Sequence, residues 1–186
     1  MVRVLHHIVN QKVLFHEIER VMKNDGIFIL EYANKMHIKA RIRWLLKGQF
    51  KNFSTLPYQQ PSQGHFEGAG EGENAIFLNF HPRNITTLLH KFNFKILKKT
   101  NCSFFRINFL KKHLPFGILI GFEKIFQKLF SWTNFSPSIV LKTTKTGRGS
   151  EKHFEKFEDI LCCPKCKEGL EISKEKANCK NCKKNI

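Results

Sequence analysis

Four cysteines near the C-terminus, Cys163 with Cys166 and Cys179 with Cys182, form two C-x-x-C pairs separated by twelve residues. Each pair sets two thiols on one tight turn. A dozen intervening residues suffice for a small hairpin that brings the pairs together as a tetrahedral four-thiolate site, the chemistry that zinc prefers. Two disulfides are the other reading of four cysteines, but the x-x spacing is that of metal knuckles and nothing in the chain marks export. The motif constrains everything upstream. So short a segment cannot bury a self-sufficient core, so the metal must supply most of its folding free energy, and such a segment serves as an accessory to something larger. Cys102 and Cys162, left over from the ligand set, read as buried thiols.

The remainder has the composition of that larger partner. With 186 residues, an apolar fraction of 41% and nineteen Phe, the chain can pack one ordinary core beside the cysteine module, which excludes global disorder. Thirty-two Lys and Arg against fifteen Asp and Glu give a net charge of +17. The basic residues run from Arg3 to Lys184 in ones, twos and threes, so a uniformly basic surface explains them as well as a dedicated phosphate-binding face does. The opening residues, Val2 to His7, have neither the apolar core of a signal peptide nor the character of a transit helix, which predicts a cytoplasmic protein. The longest apolar stretch, Leu114 to Phe122, is broken by Pro115 and Gly117 and is too short to span a bilayer.

Periodicity predicts an α/β order. Residues 2–5 read as the end of a buried strand, and Gln11 to Lys23 as a helix striped at Leu14, Ile18, Val21 and Met22. Asn24-Asp25-Gly26 stops that helix, and the unbroken apolar run Ile27 to Leu30 fits a strand covered on both faces in a parallel βαβ unit. Further helices are predicted over Met36 to Lys47, from His81-Pro82 through Phe92, and over Leu114 to Phe130, the last packed on the sheet. Strands are predicted at Lys95 to Thr100 and Ile139 to Leu141. Ser54 to Asn74, rich in Gly, Gln, Pro and Ser, reads as a mobile loop, and Thr143 to Glu158 as a polar linker. Gly68-Ala69-Gly70-Glu71-Gly72 lies within that loop, with no buried strand before it and no apolar-striped helix after it, so it reads as flexible loop and not as a cofactor-binding motif.

Two stretches resemble known families. The run Val2-Arg3-Val4-Leu5-His6-His7-Ile8, followed by Glu17 to Glu31 with its Glu-x-x-Arg-Val-Met-Lys-Asn-Asp-Gly core, is similar to the second half of class I S-adenosylmethionine-dependent methyltransferases. In that family the fourth strand ends in such a stretch, a helix with the pattern E-x-x-R-V-L-K-P-G-G follows, and the fifth strand comes next. Met22 stands where Leu is usual and Asn24-Asp25-Gly26 where Pro-Gly-Gly is usual, changes that keep the turn chemistry. His81-Pro82, Ser103-Phe104-Phe105-Arg106 and Ser136-Pro137-Ser138 look like the end of the same fold. The second stretch, Ile160 to Cys166 with Cys179 to Ile186, resembles the zinc ribbon that activates several RNA and protein methyltransferases by packing against them.

The resemblance implies a partial Rossmann-like sheet over residues 1–145, a linker over 146–158 and a ribbon over 159–186. It implies S-adenosylmethionine as cofactor, with Leu5, His6 and His7 where the fourth strand meets the cofactor crevice and with Glu31 and Asn34 on the neighbouring substrate rim. The alternatives are one His in the sheet–helix interface with the other solvated, and strand-end capping by Glu31 and Asn34. The Gly-rich loop and the acidic residue that grip the cofactor in relatives have no counterpart here. The chain therefore reads as a methyltransferase piece beginning inside the fourth strand, inactive alone, with an uncovered strand edge prone to self-association. No catalytic base and no methyl acceptor are named. The rival is a basic zinc-ribbon module that binds RNA without catalysis.

Overall fold

The computed structural model describes residues 1–59, 76–105, 112–146, 156–173, 176–179 and 181–185. These divide into two compact units, Met1–Gly147 and Arg148–Ile186.

The first unit is built on a three-stranded sheet of β1 (Ile27–Ala33), β4 (Phe94–Cys102) and β5 (Ser138–Lys145), in the order β1-β5-β4. Strand β5 runs antiparallel to both neighbours, so β1 and β4 point the same way without touching. The expected parallel neighbours are thus replaced by an antiparallel three-stranded sheet, in which a reversed strand separates the two like-directed ones. Strand β5 is also longer than its apolar run: Thr143, read as linker, is wholly buried and donates its hydroxyl hydrogen bond to the Phe28 carbonyl at 2.9 Å. On the free edge of β1, the Glu31 amide donates to the Met1 carbonyl at 2.9 Å and the Met1 amino group donates to the Ile29 carbonyl. Bonds to residues on either side of Leu30 are those of a parallel pair. The pairing ends there, because Arg3 turns into the left-handed region (φ 55°) and Leu5–His7 form a single 3₁₀ turn instead of continuing a strand.

Helix α1 (Gln11–Val21) starts at Asn10, whose side chain accepts from the Val13 amide at 3.2 Å. It is followed by a turn that needs its own residues. Asp25 sits at φ 58°, and a Cβ on Gly26 would lie 2.9 Å from the Lys23 carbonyl oxygen. Lys145 closes the far end of this turn by donating to the Glu19 and Met22 carbonyls, 2.7 and 3.0 Å, at the negative end of α1. Helix α3 (Pro82–Lys91) joins α1 on the same face of the sheet, where Phe15, Phe28, Leu30, Ile85, Leu89 and Leu141 form the core. On the opposite face Ile27 and Ile29 are about half exposed.

Helix α2 (Ile38–Leu46) leaves the carboxyl end of β1 and packs Ala40 and Trp44 on Phe53 and Tyr58. The short strands β2 (Tyr58–Gln59) and β3 (Leu78–Asn79) pair antiparallel. The first residues of the expected loop are therefore ordered: buried Lys35 donates to the carbonyls of Ser54 and Leu56 at 2.8 and 2.7 Å. Residues 60–75, including the Gly-rich run, lie outside the described residues. Helix α4 (Phe116–Leu129) departs most from expectation, for none of its residues is buried.

In the second unit β6 (Glu171–Ile172), β7 (Ala177–Cys179) and β8 (Lys184–Asn185) form a small antiparallel sheet centred on β7.

Candidate functional site

The clearest site is the cysteine cluster. Cys163, Cys166, Cys179 and Cys182 have their four sulfurs within 4.8 Å of one another. Cys166 and Cys179 approach to 3.4 Å and Cys163 and Cys182 to 3.9 Å, and all six cysteines of the chain are free thiols. Four ligands about 2.3 Å from a tetrahedral zinc stand roughly 3.8 Å apart, a separation that small side-chain adjustments of this donor set would reach. Both knuckles close alike: the amides of Lys167 (φ 65°) and Lys183 (φ 51°) return to the carbonyls of Cys163 and Cys179 at 2.9 and 2.8 Å. Backbone amides aim at sulfur, with the Cys182 amide donating to Cys179 Sγ at 3.3 Å. Such amides, of Cys166 first and Lys165 after it, hold the Cys163 thiol down to about 6, while the neighbouring thiol of Cys166 and burial push Cys182 up to about 12. One thiolate therefore forms readily and the next form reluctantly without a cation among them. With four protein ligands, the site is closed and structural in type.

A second group of polar side chains gathers at the carboxyl ends of β1 and β4, where Ala33 and Cys102 flank Ser138. A cavity of about 450 Å³ opens there, walled by Phe105, Leu114, Phe116 and Leu119, with Arg3, Ser103 and Glu123 supplying polar groups. Glu123 is positioned by its own hydrogen bonds, accepting from the amides of Ser103, Phe104 and Phe105 at 2.7, 3.4 and 3.4 Å. Ser103 sits at φ 68°, which turns the three amides toward one carboxylate. Burial, then the charges of Glu123 and Glu31, raise the Cys102 thiol above its ordinary range.

The sequence-predicted rim divides. The His6 ring packs against His7 (4.1 Å between centroids, tilted by 58°) and Phe77 (4.3 Å, tilted by 31°), and His7 Nδ1 lies 2.9 Å from the Ile76 carbonyl oxygen. Burial, then neighbouring His7, lower the His6 pKa, with Glu31 opposing, so the ring is neutral at pH 7. Glu31 is half-buried and close enough to bias both His6 and Cys102. The Leu5 side chain is in the core and offers a ligand only its backbone. Asn34 is 1% exposed and fully occupied: its amide donates to the Asn134 and Ser136 carbonyls at 2.8 and 2.7 Å, and its oxygen accepts from the Met36 amide at 2.8 Å. Its role is to fasten the start of β5 to the end of β1.

Arg3, Ser103 and Glu123 were not among the predicted site residues. Glu123 had a signal available, being the sole acidic residue between 112 and 146 and set in an otherwise apolar helix. No protein-family model matches the chain, and no curated protein does.

Proposed function

We propose that the first unit belongs to an S-adenosylmethionine-dependent methyltransferase, with its acceptor site at the carboxyl ends of β1 and β4, and that the second unit is a zinc-held accessory module. The observation that carries the reading is the gathering of Arg3, His6, Glu31, Ser103 and Glu123 at one end of two like-directed strands, the place where open α/β sheets bind their ligands. The helix, turn and strand of the methyltransferase-like run also fold as α1, the Asp25-Gly26 turn and β1.

The residues present suit the acceptor side better than a complete cofactor cradle. His6 and the Leu5 backbone would face the cofactor, while the Gly-rich run of residues 68–72 lies outside the described residues. When bound, the cofactor supplies a methyl group activated on a sulfonium. The chain's own contribution is positional. Phe105, Leu114 and Leu119 orient an apolar acceptor, Arg3 meets a polar or anionic end of it, and neutral His6 accepts a hydrogen bond or proton at a ring nitrogen.

Titration of S-adenosylhomocysteine followed by NMR tests the assignment. Weak binding is expected, with shifts confined to residues 5–7, 31–34 and 103–105 and diminished in His6→Ala. Shifts confined to the cysteine unit, or none at saturating ligand, would overturn it. A second reading, RNA binding, draws on the absence of any Asp or Glu in 34–59 and 76–105.

A further inference from the structure

Helix α4 is amphipathic in an unusual direction. Its inner side is held by an aromatic cluster, in which Phe126 meets Phe104, Phe105 and Phe130 at 5.8, 4.9 and 5.3 Å between ring centroids. Beside it runs a stripe of Ile118, Phe122, Ile125 and Leu129 at i, i+4, i+7 and i+11, each about half exposed, with Phe122 at the inner margin where its ring meets Phe105 at 6.1 Å. Phe116 before the stripe and Trp132 after it are 78% and 79% exposed. Trp132 is not on a loose end. Lys99 Nζ donates to the carbonyls of Trp132 and Thr133 and to Asn134 Oδ1 at 3.1, 2.9 and 3.2 Å, and Asn101 Nδ2 donates to the Thr133 carbonyl at 2.9 Å, so the turn bearing the indole is pinned.

Helix α2 repeats the pattern. Ala40 and Trp44 face inward while Ile38, Ile42, Leu45 and Leu46 face out, Leu46 at 83% exposure. The two helices belong to the same end of the sheet. Helix α2 follows the carboxyl end of β1, α4 follows that of β4, and Phe135 joins them, accepting from the Ile38 amide at 3.0 Å and lying under the Arg41 guanidinium at 5.3 Å.

The charge around these stripes has one sign. Lys39, Arg43, Lys47 and Lys51 accompany α2 and Lys112, Lys124 and Lys128 accompany α4, all exposed. No acidic residue occurs in 34–59, and the only one in 112–146, Glu123, is committed to the amides of residues 103–105. Apolar stripes flanked by lysines, with a fixed tryptophan at the margin, are the composition of surfaces that lie in the headgroup region of a bilayer. The described helices are too short and too polar to cross one.

We propose that α2, α4 and the Trp132 turn form a docking surface for an anionic lipid bilayer, on which this end of the sheet rests without spanning it. An RNA surface would match the cations but would not call for an exposed apolar stripe on each of two helices.

The chain's two tryptophans make the test direct, since Trp44 is 4% exposed and serves as an internal constant. The full chain is mixed with vesicles of phosphatidylcholine alone or with roughly a third phosphatidylglycerol, and flotation and Trp132 emission are read. The expected result is at least about tenfold more protein on the anionic vesicles, a blue shift of Trp132, and release at high salt. Ile125→Ser/Leu129→Ser should abolish the shift, and Lys124→Glu/Lys128→Glu should remove the preference for anionic lipid. Should these variants fail to fold by circular dichroism, quenching of wild-type Trp132 by brominated lipid decides alone. Equal partitioning to both vesicles, an unmoved Trp132, displacement from vesicles by a short RNA at equal charge, or a dimer that hides Trp132 from quencher before lipid is added would each overturn the proposal. None of these outcomes depends on methyl transfer.

Discussion

The two units of this chain solve the stability problem by opposite means. Met1–Gly147 buries a contiguous apolar core of twelve residues beneath one face of its sheet, whereas among the described residues of the second unit the buried apolar side chains are Cys163 and Cys179. The first unit is held by area removed from water and has no need of a metal. The second has too little area and depends on four sulfurs converging. Their sheets differ accordingly. Strands of seven to nine residues build the main sheet of one, with β1 and β5 pairing across more than a hundred positions, while strands of two or three residues serve only to hold two knuckles in register in the other.

Metal removal gives the sharpest test of that contrast. Zinc binding to such a site is worth about 10–16 kcal/mol at pH 7, so chelation should unfold the second unit and leave the first folded. Hydrogen exchange resolved by segment reads this directly. The protein should retain one zinc per chain, and Cys163→Ser/Cys179→Ser should lose it. Because ligation requires thiolates, acidification should release the metal. Zinc retained by the double variant, or unchanged protection after chelation, would break the comparison from the small side.

The converse lies in the core. Leu30 is fully buried opposite Leu141, and Leu30→Ala should cost the first unit about 2–5 kcal/mol by lost transfer energy and a residual cavity. Denaturant unfolding should show its transition alone moving, with zinc retention unchanged. Coupled loss of both units would mean that they are not independent.

The smallest effect concerns helix starts. His37 and His81 act as N-caps, each accepting a backbone amide at Nδ1, from Ala40 at 3.4 Å and Arg83 at 3.1 Å. Burial lowers both pKa values, and neighbouring cations lower them further: Arg43 and Lys39 for His37, Lys35, Arg83 and Arg41 for His81. With the folded values below the unfolded one, the unfolded chain binds protons first. Stability is therefore fully present above about pH 6.5 and falls as the pH drops below it. His81→Asp keeps an acceptor, adds a favourable charge at the helix start and should stabilise by about 1 kcal/mol at pH 7. It should also flatten the acid slope of the melting temperature, and a slope unchanged by it would locate the acid sensitivity elsewhere.

What the residues determined by themselves is local. Thiol spacing named a metal-ligand set that the fold brings together, because each knuckle is one turn and needs only its own amides. Helices α1, α2 and α3 and strand β1 stand within a few residues of their predicted bounds, since apolar period, caps and the Asp25-Gly26 turn act over one or two turns of chain. Tertiary structure decided the rest. Nothing local in Ser138–Lys145 says that it will lie between β1 and β4, for that place is set by pairing such as Phe28 with Thr143, 115 residues apart. Nor does an apolar stripe say whether it will be covered. Those of α1 and α3 meet the sheet, while those of α2 and α4 face outward on the same physical pattern. Asn34, polar and at a strand end, reads from sequence as a rim residue, whereas the structure closes the loop at Asn134–Ser136 on it; Glu123, given no role by the sequence, receives three amides. Periodicity reports which side of an element is apolar, but only long-range packing chooses what that side will meet.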